Sequence, residues 1–346
     1  MFDTFYKLTG QPFLLTPDTR FFFGSSGHSR AIAHLVYGLS QQEGFIVITG
    51  EVGAGKTTLV EQLWAQLDRS TYIISRVVTT QVSGEDLFRL ALANFGIDEA
   101  ARTDRQADKA TLLRRFEQLV REQRKQGRRC LLVIDEVQNL SLAAMEELRM
   151  LSNITVDGRA SVQTILLGQP QFRPILASKD VEQLRQRVLA SYHLGPLTDV
   201  ETRGYIEHRM RTVGWTGDPV WGDEAFAAVH RQSGGIPRRI NTLCSRVLLL
   251  GSLEEAHSIT AAMVDATAEE LDRDLGWPRT ETAAETPAAE AVAPGSPAAP
   301  APLPMSNDEH DDMMRRIEML ERSALRQEQA FRRVIDLLEA NMATKS

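Results

Sequence analysis

Phe45-Ile46-Val47-Ile48-Thr49-Gly50-Glu51-Val52-Gly53-Ala54-Gly55-Lys56-Thr57 is the stretch that decides the reading of this chain. Residues 50–57 satisfy the pattern G-x-x-x-x-G-K-[ST] in full. An apolar strand, Phe45–Thr49, precedes them, and a segment with helical spacing, Thr58–Leu67, follows. Glycines at Gly50, Gly53 and Gly55 let consecutive backbone N–H groups curl round phosphate oxygens, with Glu51, Val52 and Ala54 supplying further amides. The start of the following helix, where Thr58 lies, adds unpaired amides and the positive end of its dipole. Lys56 is expected to reach the β- and γ-phosphates of a nucleotide, and the Thr57 hydroxyl to hold Mg²⁺.

Working outward, Cys130-Leu131-Leu132-Val133-Ile134 is a second apolar strand, and it ends in two carboxylates, Asp135 and Glu136. Phosphoryl transfer is mostly positioning and electrostatics. Asp135 is expected to assist Mg²⁺, leaving Glu136 to orient and polarise an attacking water. A third strand, Val162–Leu167, ends at Gly168-Gln169-Pro170, which would place the Gln169 amide near the γ-phosphate. With Tyr72–Val78 and Ala190–Leu194 these make five short strands. They are separated by helical stretches at Thr57–Leu67, Glu85–Phe95, Lys109–Gln126, Leu142–Leu151 and the 171–187 region. Such alternation predicts an α/β core with a parallel sheet covered on both faces. After Pro196 the strands are expected to stop, and Val200–Val213, Asp223–Gln232, Pro237–Leu250 and Ile259–Leu275 form an all-helical block.

Composition breaks sharply once. From about Pro278 to Pro304 the chain is almost all Ala, Pro, Glu and Thr, which reads as an extended linker. Beyond it Met313, Ile317, Leu320, Ala324, Gln327, Phe331, Val334 and Leu338 keep a short heptad seam, predicting an amphipathic helix that self-associates or meets a partner. The organisation is therefore a core over 1–195, a helical lid over 196–277, a linker over 278–305 and a terminal helix over 306–343.

The 346 residues are 42% apolar and 25% charged, which excludes global disorder. Net charge is −7, and residues 281–346 contribute −5 of it (seven bases against twelve acids). No global positive charge advertises nucleic acid. Residues 102–129 do carry ten Lys/Arg against four Asp/Glu, so a local patch stays open, though arginines spread round a helix usually face solvent. Two cysteines, Cys130 and Cys244, lie in apolar runs and read as buried hydrophobes of a reducing compartment. No apolar run approaches the roughly 20 residues of a membrane span, and the first residues lack the pattern of a signal peptide. A cytoplasmic chain is expected. Six of the thirteen phenylalanines fall in the first 23 residues. Interrupted by Pro12 and Pro17, this segment reads as an extended arm packed on the core and walling an adenine pocket.

These parts, in this order, resemble AAA+ ATPases of the general-secretion-pathway A type, and among them the ATPase of exosortase/PEP-CTERM loci. The likeness is carried by Phe5-Tyr6-Lys7-Leu8, Gln11-Pro12-Phe13, Thr16-Pro17-Asp18, Gly50–Thr57, Asp135-Glu136-Val137-Gln138-Asn139-Leu140, Leu167-Gly168-Gln169-Pro170 and Gly235-Ile236-Pro237-Arg238-Arg239-Ile240-Asn241, and covers roughly residues 1–272. It implies a P-loop NTPase of the AAA+ class with a three-layer core and a C-terminal helical lid. It implies ATP and Mg²⁺ as ligands, assembly into a homo-oligomer, and work on an envelope secretion or exopolysaccharide-export machinery, peripheral to the inner membrane through partners. Arg238 would be a lid residue reaching the γ-phosphate, whereas Arg239 reads as lid surface. Either Arg185 or Arg187 would be a finger offered to a neighbouring subunit's nucleotide. The chain departs from secretion-type relatives beyond its lid, where they continue into a membrane helix and a peptidoglycan-binding part. Two further readings stay open: a DNA-binding regulatory ATPase of the transposition type, and an oligomeric scaffold that binds nucleotide with little hydrolysis.

Overall fold

The computed structural model describes residues 2–276, apart from 17, 69, 79–83, 97–107, 157 and 161. The expected linker and terminal helix lie outside the described residues.

The sheet is built from β1 (Phe45–Gly50), β2 (Tyr72–Val78), β3 (Arg129–Asp135) and, after a two-residue antiparallel pair β4 (Thr155–Val156) and β5 (Arg159–Ala160), β6 (Val162–Gly168) and β7 (Val188–Leu194). The five long strands are all parallel, in the order β2-β3-β6-β1-β7. β1 and β6 are buried at every position, as expected where helices cover both faces. Alternate residues divide between two cores. Phe45 and Val47 meet Leu87, Phe88, Leu112, Phe116 and Leu148 on one face. Ile46 and Ile48 meet Leu35, Leu59 and Leu63 on the other. β7 alternates buried and exposed residues, because it is an edge strand.

Helices α1 (Phe2–Phe5), α2 (Ser26–Gln41), α3 (Lys56–Gln66), α4 (Gly84–Asn94), α5 (Lys109–Lys125) and α6 (Leu142–Ser152) precede β6. In the basic α5, Leu112, Phe116, Leu119 and Val120 face the core, so the charged residues of this segment are spread over its other faces. The 171–187 region is broken into α7 (Phe172–Ala177), a 3₁₀ turn at Lys179–Val181 and α8 (Glu182–Arg185), with Ser178 extended between them. α9 (Asp199–Thr212) starts at a capping box between Thr198 and Glu201. α10 (Asp223–Ser233), α11 (Pro237–Leu253, with Pro at its first turn) and α12 (Ala261–Leu275) complete the helical block.

Two expectations need correction. Strands do not end at Pro196: β8 (Val220–Trp221) pairs in parallel with β9 (Ser258–Ile259) inside the helical block. Two-residue strands are too short to show alternation, so nothing in the local pattern marks them. The Phe-rich arm also packs differently from its reading. Phe2, Tyr6, Leu8, Phe13 and Phe21 are buried with Tyr205, Ile206, Met210, Trp221, Leu243 and Val247. Most of the arm thus joins the core of the helical block, while Phe22 packs against the core of the sheet, and Tyr6 Oη donates to the Ala256 carbonyl at 2.9 Å. Among the described residues, no helix is long and apolar enough to cross a membrane.

Candidate nucleotide-binding site

β1 lies between β6 and β7, neither of which neighbours it in sequence, and the glycine loop leaves its carboxyl end. In open parallel sheets a crevice of this kind is where ligands bind. Gly53 (φ +82°) and Gly55 (φ +97°) take left-handed backbone conformations that only glycine adopts without strain. Lys56, 7% exposed, folds back so that Nζ donates to the Gly50 carbonyl at 2.7 Å and the Glu51 carbonyl at 2.9 Å. Burial draws its pKa below the ordinary lysine value, opposed by Glu136, Asp135 and Glu51. At the first turn of α3, Thr57 Oγ1 donates to Asp135 Oδ2 at 3.0 Å. A hydroxyl and a buried carboxylate so placed, next to a phosphate loop, form an oxygen donor set suited to Mg²⁺.

Glu136 is a non-glycine residue at φ +54°, where the chain turns from β3 into a 3₁₀ turn at Val137–Asn139. Such a conformation costs roughly 1–3 kcal/mol and persists where surrounding contacts impose it. Those contacts are visible: Gln169 Nε2 donates to Glu136 Oε2 at 2.9 Å, Gln138 Nε2 donates to the same oxygen, and the Gln169 N–H is held by Gln138 Oε1 at 2.9 Å. Neighbouring strands β3 and β6 bring these residues together across 33 positions of sequence.

The other wall comes from the helical block. Arg238, at the start of α11, donates its backbone N–H to the Gly53 carbonyl at 3.2 Å. A Cβ on Gly53 would lie 2.3 Å from Arg238 Cβ. The helix start is therefore seated directly on the loop. Gly53→Ala combines this clash with a left-handed backbone cost of about 1–2 kcal/mol. Nucleotide affinity is expected to fall roughly tenfold or more, as read by titration with a fluorescent ATP analogue.

Between loop and helices lies a cavity of about 250 Å³, reached by Lys56, Thr57, Thr58, Asp135, Glu136 and Arg238. Leu14, Leu15, Thr16 and Phe21–Phe23 of the arm line its far side, so the arm does wall the pocket even though it packs on the helical block. Three contributors carry no signal in the sequence pattern. Arg209, 6% exposed, donates to the Pro12 and Leu14 carbonyls and to Tyr205 Oη, and its guanidinium lies 4.5 Å from the Phe21 ring centroid. It fixes the arm to α9. His28 is buried under the loop. A Cβ on Gly55 would come within 2.8 Å of its Nε2, and its Nδ1 meets Ser25 Oγ at 2.7 Å. Burial lowers the His28 pKa against the pull of Glu201. Arg76 of β2 pairs with Asp135 at 3.1 Å.

Arg185 and Arg187 stand apart from these groups. Val188 is in register with Phe45 and Leu194 with Gly50, so both arginines lie at the opposite end of the sheet from the loop. Six residues of strand span about 20 Å, which puts their own nucleotide site out of reach. Arg187 Nη1 is held by Ser152 Oγ at 2.8 Å, while Arg185 is about half-exposed.

Known proteins share this fold. Residues 39–176 match a family described as AAA domain. The CDC6P protein of Pyrobaculum aerophilum is similar in structure over 78% of this chain and 70% of its own, with a TM-score of 0.57 at 15% identity. The ORC2 protein of Aeropyrum pernix in its ADP form is similar over 78% and 72%, with a TM-score of 0.55 at 18% identity. The chain has the AAA+ P-loop NTPase fold. In sequence it is 33% identical over 282 residues to general secretion pathway protein A of Aeromonas hydrophila. That match takes in 80% of this chain and 50% of the relative, so the chain spans about half the length of the curated protein it matches.

Proposed function

We propose that this AAA+ protein is a Mg²⁺-dependent ATPase that hydrolyses ATP as a homo-oligomer and drives or regulates an envelope secretion assembly. The observation that carries the reading is the Glu136 carboxylate, held by Gln169 and Gln138 beside Lys56 and the Thr57–Asp135 pair. Lys56 and the loop amides bind the phosphates; Thr57 and Asp135 would hold Mg²⁺, which when bound would supply positive charge to the phosphate oxygens. Glu136 accepts the proton of the attacking water, and Gln169 steadies both the carboxylate and that water. Arg238, seated on Gly53, reports the occupancy of the loop to the helical block.

The secretion link rests on the Aeromonas hydrophila relative. Within that class, we propose exosortase/PEP-CTERM export systems as the setting, on the resemblance carried by the motifs between Phe5 and Asn241. In this reading the chain works at the cytoplasmic side of the inner membrane, held there by its partners.

Arg185 is the finger this reading assigns, because it is about half-exposed with long contacts to Glu182 (3.9 Å) and the Ala177 carbonyl (3.4 Å), whereas Arg187 is held by Ser152 Oγ at 2.8 Å. Turnover per subunit should therefore rise with protein concentration. Arg185→Ala should lower the plateau on the order of 10³-fold, the range of arginine fingers in P-loop enzymes. A rate per subunit that is independent of concentration and indifferent to Arg185→Ala would overturn assembly-dependent hydrolysis.

A further inference from the structure

Arg76 is out of character for its strand. Tyr-Ile-Ile-Ser-Arg-Val-Val otherwise reads as a strand built for packing, yet position 76 places a guanidinium beside the end of β3. Its two terminal nitrogens bridge two carboxylates: Nη2 to Asp135 Oδ2 at 3.1 Å and Nη1 to Glu61 Oε1 at 3.2 Å. Asp135 Oδ2 is the same oxygen that accepts from Thr57 Oγ1, and Glu61 lies one turn beyond Thr57 on α3. The Asp135 side chain is 8% exposed, so its charge is costly without a counter-ion. Arg76 is one counter-ion to it, and the Lys56 ammonium also acts on this carboxylate. A divalent cation entering at Thr57 and Asp135 would meet a fixed positive charge a few ångströms away, in a partly buried site where screening is weak. A triphosphate reverses the balance, because its negative charge attracts both cations.

We propose that Arg76 makes divalent-metal binding conditional on nucleotide: it neutralises Asp135 while the loop is empty and shares the site with a metal only when phosphate charge arrives, with Glu61 as its second anchor. The inference rests on the proposed ATP site, and it deepens that reading by assigning metal selectivity to a residue outside the loop and the Asp135-Glu136 pair.

The test is Mn²⁺ binding to the full chain, followed by electron paramagnetic resonance with and without ATP in the Glu136→Gln background, so that turnover is not the readout. Nucleotide-free wild-type protein should bind Mn²⁺ weakly, and ATP should tighten it strongly. Arg76→Met should tighten nucleotide-free Mn²⁺ binding at least tenfold and shrink the effect of ATP. Arg76→Lys keeps the charge without the two-pronged fork and should fall between them. Glu61→Gln leaves Arg76 with Asp135 alone and should give no tightening, which keeps the proposal open to failure if Arg76→Met does not fold. If Arg76 merely props Asp135 in place, Arg76→Met will bind Mn²⁺ no better than wild type, or worse, while still binding ATP, and the proposal is overturned. Failure of wild-type protein to bind ATP is a separate result and would instead remove the function proposed above.

Discussion

Glu136→Gln is expected to lower ATP turnover by about 10²–10⁴-fold, the usual worth of a positioned proton acceptor, while ATP stays bound. The substitution is nearly isosteric. The amide oxygen can still accept from Gln169 or Gln138, so the 3₁₀ turn and the β3–β6 contact survive. What disappears is the negative charge and the ability to take a proton from water. Comparing single-turnover hydrolysis with equilibrium binding of the same nucleotide separates the two effects. Hydrolysis at the wild-type rate would mean that another group activates the water.

Lys56→Ala should act earlier, on binding itself. Two charge-assisted hydrogen bonds to phosphate oxygens are worth about 1.5–3 kcal/mol each, so affinity for ATP should drop roughly 10²–10⁴-fold. In the free protein Lys56 holds the Gly50 and Glu51 carbonyls, and alanine leaves both without that partner. A melting curve of the variant therefore belongs beside the titration. Lost binding with an intact melting transition locates the effect at the phosphates, whereas unchanged affinity would contradict the assignment of Lys56.

The two predictions differ in how the sequence exposes them. Lys56 and Thr57 belong to a loop whose chemistry is written in eight consecutive residues, and Asp135-Glu136 closes an uninterrupted apolar strand. Such signals are local, and the strands show the same: β1 and β3 are nearly unbroken apolar runs buried on both faces, whereas β2 and β7, at the edges, showed as short β-branched and aromatic segments between helical stretches. Gln169 stood out as the first polar side chain after β6, and what the structure adds is its hydrogen bond to Glu136. Arg76, Arg209 and His28 were not legible, since each works through partners 15 to almost 200 positions away: Arg76 with Glu61 and Asp135, Arg209 with Pro12, His28 against Gly55. A single arginine in a strand or histidine in a helix has no periodicity to betray it. The arm shows a related limit. Its phenylalanines announced burial, but which core they joined depended on the position of α9 and α11, which sequence spacing does not contain.

Every role assigned above requires a triphosphate at Gly50–Thr57 with Mg²⁺ at Thr57 and Asp135. Calorimetric titration of the 346-residue chain with ATP in the presence of Mg²⁺, with Lys56→Ala as the control, decides whether it is bound. Saturable binding near one ATP per chain is expected, weakened by chelating the metal and lost in the control. Absence of binding heat in wild-type protein, across temperatures chosen so that enthalpy does not vanish by coincidence, would contradict it.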